Sequence, residues 1–180
     1  MTASPERLSV VAFNPVDAGR YLVKITGCND CHTLGWEQSG GRIPEAMWLT
    51  GVPVGFRGPW GTTYASNLRL YVRQFTPDTW VQVMRTRDVR PPMPWQSLHA
   101  MSDQDLRAVY EYIKQLGPAG LAMPAFVPPG EEPKTPFIVF IPQLPAPATT
   151  AAAAAASTQP PATGATATPV VQPTTAPAKP

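Results

Sequence analysis

The sequence predicts an all-α domain of three main helices and long loops, followed by a disordered C-terminal tail. Three segments combine a helix start signal with apolar residues at helical spacing. The chain between them is long and irregular, so we expect something other than side chains to fill the centre of the domain. Residues 142–180 consist mostly of Pro, Ala, Thr and Gln, with Lys179 as the only charge. Such a composition cannot bury enough apolar surface to offset its ordering entropy.

We divide the chain into four parts: a lead segment over residues 1–14, the main domain over 15–117, a Pro-rich arm over 118–141 that packs on this domain, and the tail over 142–180. In the arm, the apolar run "FIVFIP" is expected to form a short strand against the domain. The net charge of +2 does not indicate a nucleic-acid binder. The sequence has no run of about 18 apolar residues, so we expect no transmembrane segment.

Each of the three helices has its own boundary signals. The first begins after the N-cap Asn14, with a proline at its first position, and ends at Gly27. The second begins after Thr76 and ends before "RPPMPW", because consecutive prolines cannot continue a helix. The third begins after Ser102 and ends at Gly117. Its apolar stripe consists of Leu106, Val109, Tyr110, Ile113 and Leu116.

The stretch "TGCNDCHT" contains both cysteines of the chain and one of its two histidines. Zinc would need about four ligands, and the adjacent Cys31 and His32 are awkward partners on one tetrahedral ion. A thioredoxin-type site would follow a strand, whereas this motif follows a helix. A disulfide between Cys28 and Cys31 would close a very small loop and add little stability. A covalently bound haem uses all three residues, with two thioether links and an iron ligand.

A second iron ligand is available about sixty residues further on. Met93 lies in "RPPMPW", where the flanking prolines hold the chain extended and stiff. His99 competes for the same role, because histidine is also a common axial ligand. We expect the other methionines downstream of the motif to fill the core or lie near the surface: Met47, Met84, Met101 and Met123.

The order of helix, CxxCH, long loop, helix, Met-Pro loop and capped amphipathic helix resembles the class I c-type cytochromes. The segments "GRYLVKITGCNDCHT", "GTTYASNLR" and "MPWQSLHAMSDQDLRAVYEYIKQLGP" are similar to single-haem cytochrome subunits and domains of periplasmic dehydrogenases. The similarity covers roughly residues 15–141 and implies a cytochrome c-like fold around one covalently attached haem c.

The resemblance also implies roles for individual residues. Cys28 and Cys31 would carry the thioether links, His32 the proximal bond to iron and Met93 the distal bond. The carbonyl of Pro44 would accept a hydrogen bond from the second ring nitrogen of His32. Candidates for contacts with the haem propionates or edge, with packing roles as the alternative, are Tyr64, Asn67 and Trp95. At the crossing of the first and third helices, the resemblance brings together Gly19, Tyr21 and Tyr110.

With both axial positions filled, the iron has no open site, so we expect an electron-transfer protein and not an enzyme in its own right. The implied partners are redox proteins, such as a periplasmic dehydrogenase as donor and an oxidase or other respiratory acceptor. An arginine cluster would form a docking patch for an acidic partner, with helix-end charge and propionate pairing as the alternative. It consists of Arg69, Arg73, Arg85, Arg87 and Arg90.

Two other functional classes stay open at this point. In a haem-based sensor or a peroxidase-like protein, Met93 would dissociate and a small ligand would bind the iron. In a non-redox binding module, the CxxCH would be a chance match. Covalent haem attachment takes place outside the cytoplasm, so we expect a periplasmic protein. Residues 1–10 do not have the pattern of an export signal peptide. We therefore expect that such a signal was removed or lies upstream of this sequence. The tail would serve as a tether or a solubilising segment.

Overall fold

The computed structural model describes residues 9–142; the predictions for the start of the lead segment and for the tail from residue 143 lie outside the described residues. The helices are α1 (Pro15–Ile25), α2 (Cys28–His32), α3 (Leu68–Tyr71), α4 (Pro77–Thr86), α5 (Trp95–Ala100) and α6 (Asp103–Leu116), and the strands are β1 (Val52–Gly58), β2 (Gly61–Ala65) and β3 (Phe137–Val139). Short 3-10 helices cover Glu45–Met47 and Val72–Gln74. Of the helices between residues 9 and 142, none has the length and apolar character needed to cross a membrane.

The predicted fold class is confirmed, since the three expected helices are α1, α4 and α6 and the rest of the chain is mostly loop with a small sheet. Each of these helices starts as its sequence predicts. The side-chain oxygens of Asn14, Thr76 and Ser102 each accept a hydrogen bond from the backbone N–H three residues later. These bonds satisfy N–H groups that have no partner within the helix.

The core lies where α1 and α4 pack against α6. At the α1–α6 crossing, a Cβ added to Gly19 would lie 2.0 Å from the carbonyl oxygen of Ala108. The expectation that Tyr110 meets Gly19 and Tyr21 is wrong. Tyr110 faces α4, with its ring centroid 6.1 Å from that of Trp80, and Tyr21 is 52% exposed. The crossing therefore depends on the absent side chain of Gly19 and not on a pair of tyrosines.

The structure adds a three-stranded sheet in the order β2-β1-β3 to the helices. β1 and β2 form an antiparallel hairpin, and β3 pairs with β1 in parallel, with Phe56 opposite Ile138. The strand predicted for "FIVFIP" is confirmed over Phe137–Val139, whereas the hairpin lies in a segment expected to be irregular. The arm also bonds to β2, because Thr62 and Val127 exchange two backbone hydrogen bonds of 2.8 and 3.0 Å. It thus lies along both outer sides of the hairpin.

Candidate functional site

One cavity of about 380 Å³ brings together the residues on which the sequence analysis depends. Cys28, Cys31 and His32 line it from α2, and Met93 lines it from the loop before α5. A volume of this size is typical of pockets that hold small molecules and cofactors. The remaining lining is mostly apolar and includes Phe56, Ala65, Leu68, Trp80, Val83, Met84, Val89, Leu98, Val109, Ile113, Pro124 and Phe126.

The helix α2 consists of the motif residues "CNDCH" themselves. Gly27 adopts a left-handed conformation with φ +72°, which ends α1 and lets the chain turn directly into α2. Both cysteines are free thiols, and burial raises the pKa of each. Among residues 9–142, no group of three or more His, Cys, Asp or Glu side chains could hold a metal ion. The described part of the chain therefore gives no support to a zinc site or to a disulfide.

His32 is buried, and its Nδ1 lies 2.7 Å from the carbonyl oxygen of Ser66. A carbonyl only accepts hydrogen bonds, so Nδ1 must donate and Nε2 carries the lone pair that a metal ligand needs. Burial lowers the pKa of His32, while the bond to Ser66 acts in the opposite direction. The neutral imidazole is the form that binds metals.

The prediction that Pro44 holds His32 is wrong. The carbonyl of Pro44 accepts a hydrogen bond of 2.8 Å from the backbone N–H of Met47, because Pro44 starts the 3-10 helix Glu45–Met47. The backbone just after β2 reaches His32 instead and supplies Ser66. The family resemblance suggested Pro44, whereas the tertiary fold selects an acceptor 34 positions from His32.

Met93 lies in a loop that is held on both sides. The carbonyl of Pro91 accepts a hydrogen bond of 2.7 Å from Thr63 in β2, and the carbonyl of Met93 accepts one of 2.9 Å from the backbone N–H of Trp95. Its competitor His99 is absent from the cavity lining, and its ring lies against Trp95 with centroids 4.9 Å apart. The geometry therefore favours Met93 over His99 as the second ligand.

Of the three further contact candidates, two line the cavity and one does not. Tyr64 and Trp95 contribute to the lining, and the hydroxyl of Tyr64 lies 2.8 Å from that of Thr135 in the arm. Asn67 is 5% exposed and does not line the cavity, which favours the alternative of a packing role over a haem contact. Its amide is used instead to cap α3 and to bond to the arm.

The five arginines do not form one exposed patch. Arg69 is 6% exposed, and Arg85 is bonded to Asp103 and to the carbonyl of Met101, so both serve the fold. Arg87 and Arg90 are exposed and line the cavity. Arg73 is exposed on the short 3-10 helix after α3. The predicted cluster is therefore corrected to these three exposed arginines.

Several site residues were missed by the sequence analysis. Ser66 acts through its backbone, and Met84, which we expected to fill the core or to lie near the surface, lines the cavity from α4. Pro124 and Phe126 line it from the arm, and the guanidinium carbon of Arg90 lies 3.8 Å from the ring centroid of Phe126. The available signal for Phe126 was an aromatic side chain placed between two prolines, Pro124 and Pro128. No local signal marks Ser66.

These donors fit a covalently attached haem. Two thiols three positions apart, an imidazole with its Nε2 available, and a thioether all line one largely apolar cavity. These side chains would attach a haem through two thioether links and would bind its iron through His32 and Met93.

Comparison with known proteins gives one match. The family model described as Cytochrome c matches residues 16–117, which is more than half of the chain. No curated protein and no solved structure matches the sequence or the fold.

Proposed function

This chain belongs to the cytochrome c family, and on that basis we propose that it is a single-haem electron carrier whose iron is bound by His32 and Met93. Haem c is covalently attached in this family, and Cys28, Cys31 and His32 provide its CxxCH motif. When bound, the haem supplies a one-electron redox centre.

The observation that carries this proposal is the shared cavity. Met93 lines the same cavity as His32 and both thiols. Its loop is hydrogen-bonded to Thr63 of β2 and to Trp95 at the start of α5. A soft thioether ligand and an apolar surrounding both favour the reduced form and raise the reduction potential. In the part of the chain that the structure describes, no carboxylate lines this cavity, which supports electron transfer over acid–base catalysis.

The exposed arginines suggest how partners would dock. Arg87 and Arg90 lie at the cavity, and Arg73 is exposed on the 3-10 helix after α3. Positive charge at a redox site attracts acidic partner surfaces and speeds encounter. We propose a dehydrogenase as electron donor and an oxidase or other respiratory acceptor as the outlet. Because covalent haem attachment takes place outside the cytoplasm, these exchanges belong in the periplasm.

The test compares Met93→Ala with Met84→Ala, two equal truncations of methionines that line the same cavity. The matured wild-type protein should show a low-spin haem, the weak far-red methionine–ferric absorption band, and no carbon monoxide binding to the reduced form at neutral pH. Met93→Ala should lose this band and bind carbon monoxide. Met84→Ala should retain the band, because its thioether only packs in the cavity.

Three results would contradict the proposal. A wild-type protein that binds carbon monoxide, or that is high-spin, would have an open iron position and would be a sensor or a peroxidase-like protein. Loss of the low-spin spectrum in His99→Ala but not in Met93→Ala would make His99 the ligand. Absence of covalent haem after expression with a maturation system would exclude a cytochrome altogether.

A further inference from the structure

We propose that Asn67 is a positioning residue for His32, acting through the backbone carbonyl of its neighbour Ser66. The inference rests on the proposed function, in which His32 binds the haem iron. Asn67 does not line the cavity, and its effect would be carried by the peptide group that joins it to Ser66.

The acceptor of the His32 hydrogen bond is a backbone carbonyl whose direction depends on the next residue. The Ser66 carbonyl lies 2.7 Å from Nδ1 of His32, while the residue itself is exposed. The carbonyl belongs to a planar peptide unit that also contains the backbone nitrogen and Cα of Asn67. The direction of the carbonyl is therefore set largely by how Asn67 is held.

Asn67 is held by three hydrogen bonds from its side-chain amide. The oxygen accepts a bond of 3.1 Å from the backbone N–H of Leu70, at the start of α3. The Nδ2 group donates to the carbonyls of Ala119 and Leu121 in the arm, at 2.7 and 3.1 Å. A rotation of the peptide between Ser66 and Asn67 would disturb bonds on both sides, so the arm and α3 together hold the acceptor in place.

The chain has a second N-cap asparagine, Asn14, which shows what helix capping alone requires. Its side-chain oxygen lies 2.9 Å from the N–H of Asp17. Among residues 9–142, its Nδ2 donates to the Asp17 side chain alone, 2.7 Å away at an exposed position. Serine caps a helix about as well as asparagine. What asparagine adds at position 67 is the pair of bonds to the arm.

Release of the Ser66 carbonyl would change the reduction potential of the haem. A hydrogen bond from Nδ1 to a carbonyl orients the imidazole and makes it a stronger electron donor to a bound metal. A stronger donor favours the more positive ferric iron. If the acceptor is released, the donor strength falls and the midpoint potential should shift upward.

The experiment applies the same substitution at both asparagines of the full-length haem-containing protein. Asn67→Ser keeps a capping oxygen and loses both donors to the arm, whereas Asn14→Ser is the matched control. In Asn67→Ser we expect a higher midpoint potential and a His32 ring N–H that exchanges with solvent about tenfold faster or more, followed by NMR. Asn14→Ser should change neither quantity.

A second variant approaches the same link from the arm. A Cβ on Gly120 would lie 3.1 Å from Nδ2 of Asn67, at a position with φ +72°, so Gly120→Ala should displace the arm from Asn67. It should change the potential and the ring N–H exchange in the same direction as Asn67→Ser. This variant decides the question if Asn67→Ser fails to mature.

Unchanged ring N–H exchange in Asn67→Ser and Gly120→Ala would overturn the proposal, as would equal shifts in Asn14→Ser. The methionine–ferric band of the wild-type protein reports separately on Met93. Its absence would contradict the proposed ligand pair, while the ring N–H would still report on the Asn67–Ser66–His32 connection.

Discussion

The contact between α1 and α6 is set by a single hydrogen atom, the side chain of Gly19. A Cβ at this position would lie 2.0 Å from the carbonyl oxygen of Ala108 and 2.7 Å from the Cβ of Tyr112. Glycine in a helix interior costs about 1 kcal/mol relative to alanine. This cost is offset because the close approach of the two helices buries the apolar faces of both.

We predict that Gly19→Ala lowers the free energy of unfolding by about 3 kcal/mol, because the clash with a backbone carbonyl outweighs the gain in helix propensity. Denaturant-induced unfolding of the haem-containing protein measures this change. Gly130→Ala is the control, since a Cβ there has open space around it and meets only the strain of φ +87°, which costs about 1 kcal/mol. Equal losses in the two variants would mean that the crossing is not tight.

At the level of secondary structure, α6 is closed at both ends by side chains. Ser102 caps its N-terminus, and at the C-terminus Arg69 donates to the carbonyls of Leu116 and Gly117. Arg69 also donates to the carbonyl of Ala46, at 2.6 Å. Burial lowers the pKa of Arg69 from its ordinary value, but a guanidinium stays charged at neutral pH. Its positive charge is favourable beside the C-terminal carbonyls of a helix.

We predict that Arg69→Gln destabilises the protein by about 3 kcal/mol, because a shorter neutral amide leaves carbonyl groups without donors. The midpoint of denaturant unfolding should fall without a change in the denaturant slope. Arg73→Gln removes an equal charge from an exposed position on the neighbouring 3-10 helix. Its effect should stay within about 0.5 kcal/mol, and a similar loss in both variants would argue against the capping role.

Across the whole molecule, Glu45 joins the loop after the haem motif to two helices. It forms an ion pair of 2.8 Å with Arg20 of α1 and accepts a hydrogen bond of 2.8 Å from the hydroxyl of Tyr112 in α6. The hydrogen bond from Arg20 is the main cause of a lowered pKa of Glu45, with a smaller contribution from Tyr112, while burial acts against both. Burial and Glu45 raise the pKa of Tyr112, so its hydroxyl remains a donor.

This arrangement predicts a pH dependence of stability. A carboxyl group whose pKa is lower in the folded state stabilises the fold above its ordinary pKa, here 4.5, and this contribution is lost as the pH falls through the lower folded value. Between about pH 6 and about pH 3, the wild-type protein should therefore lose more stability than Glu45→Gln, by about 0.5–1 kcal/mol, since the pair is partly exposed.

Denaturant unfolding at a series of pH values measures this difference. Glu131→Gln, which removes a carboxylate from an exposed position in the arm, should follow the wild-type pH dependence. If Glu45→Gln were to follow it as well, Glu45 would contribute no pH-dependent stability.

The elements that could be predicted from the sequence are those determined by neighbouring residues. Each of the three main helices has its own capping residue and its own apolar stripe, and the CxxCH motif is local as well. The hairpin was not predictable because glycines and prolines interrupt the alternation in "VPVGFRGPWGTTYA". Its stability depends on partners such as Val127 and Ile138, far along the chain.

The same distinction applies to the site. Both cysteines, His32 and Met93 were found from local patterns, and the structure brings them to one cavity. The acceptor for His32 depends on how the chain returns after β2, which no spacing rule describes. Arg69 shows the same limit, because only the fold places it against the end of α6.

The arm changes what counts as the smallest self-contained unit of this cytochrome. The family model ends at residue 117, yet Pro124 and Phe126 form part of the cavity wall and β3 completes the sheet. The part of the chain that matches the family is therefore shorter than the part that is needed to complete the cavity and the sheet. Gene fusions or domain exchanges that use this cytochrome as a module should include all residues up to Val139. A chain that ends at residue 117 would lack one wall of the haem pocket.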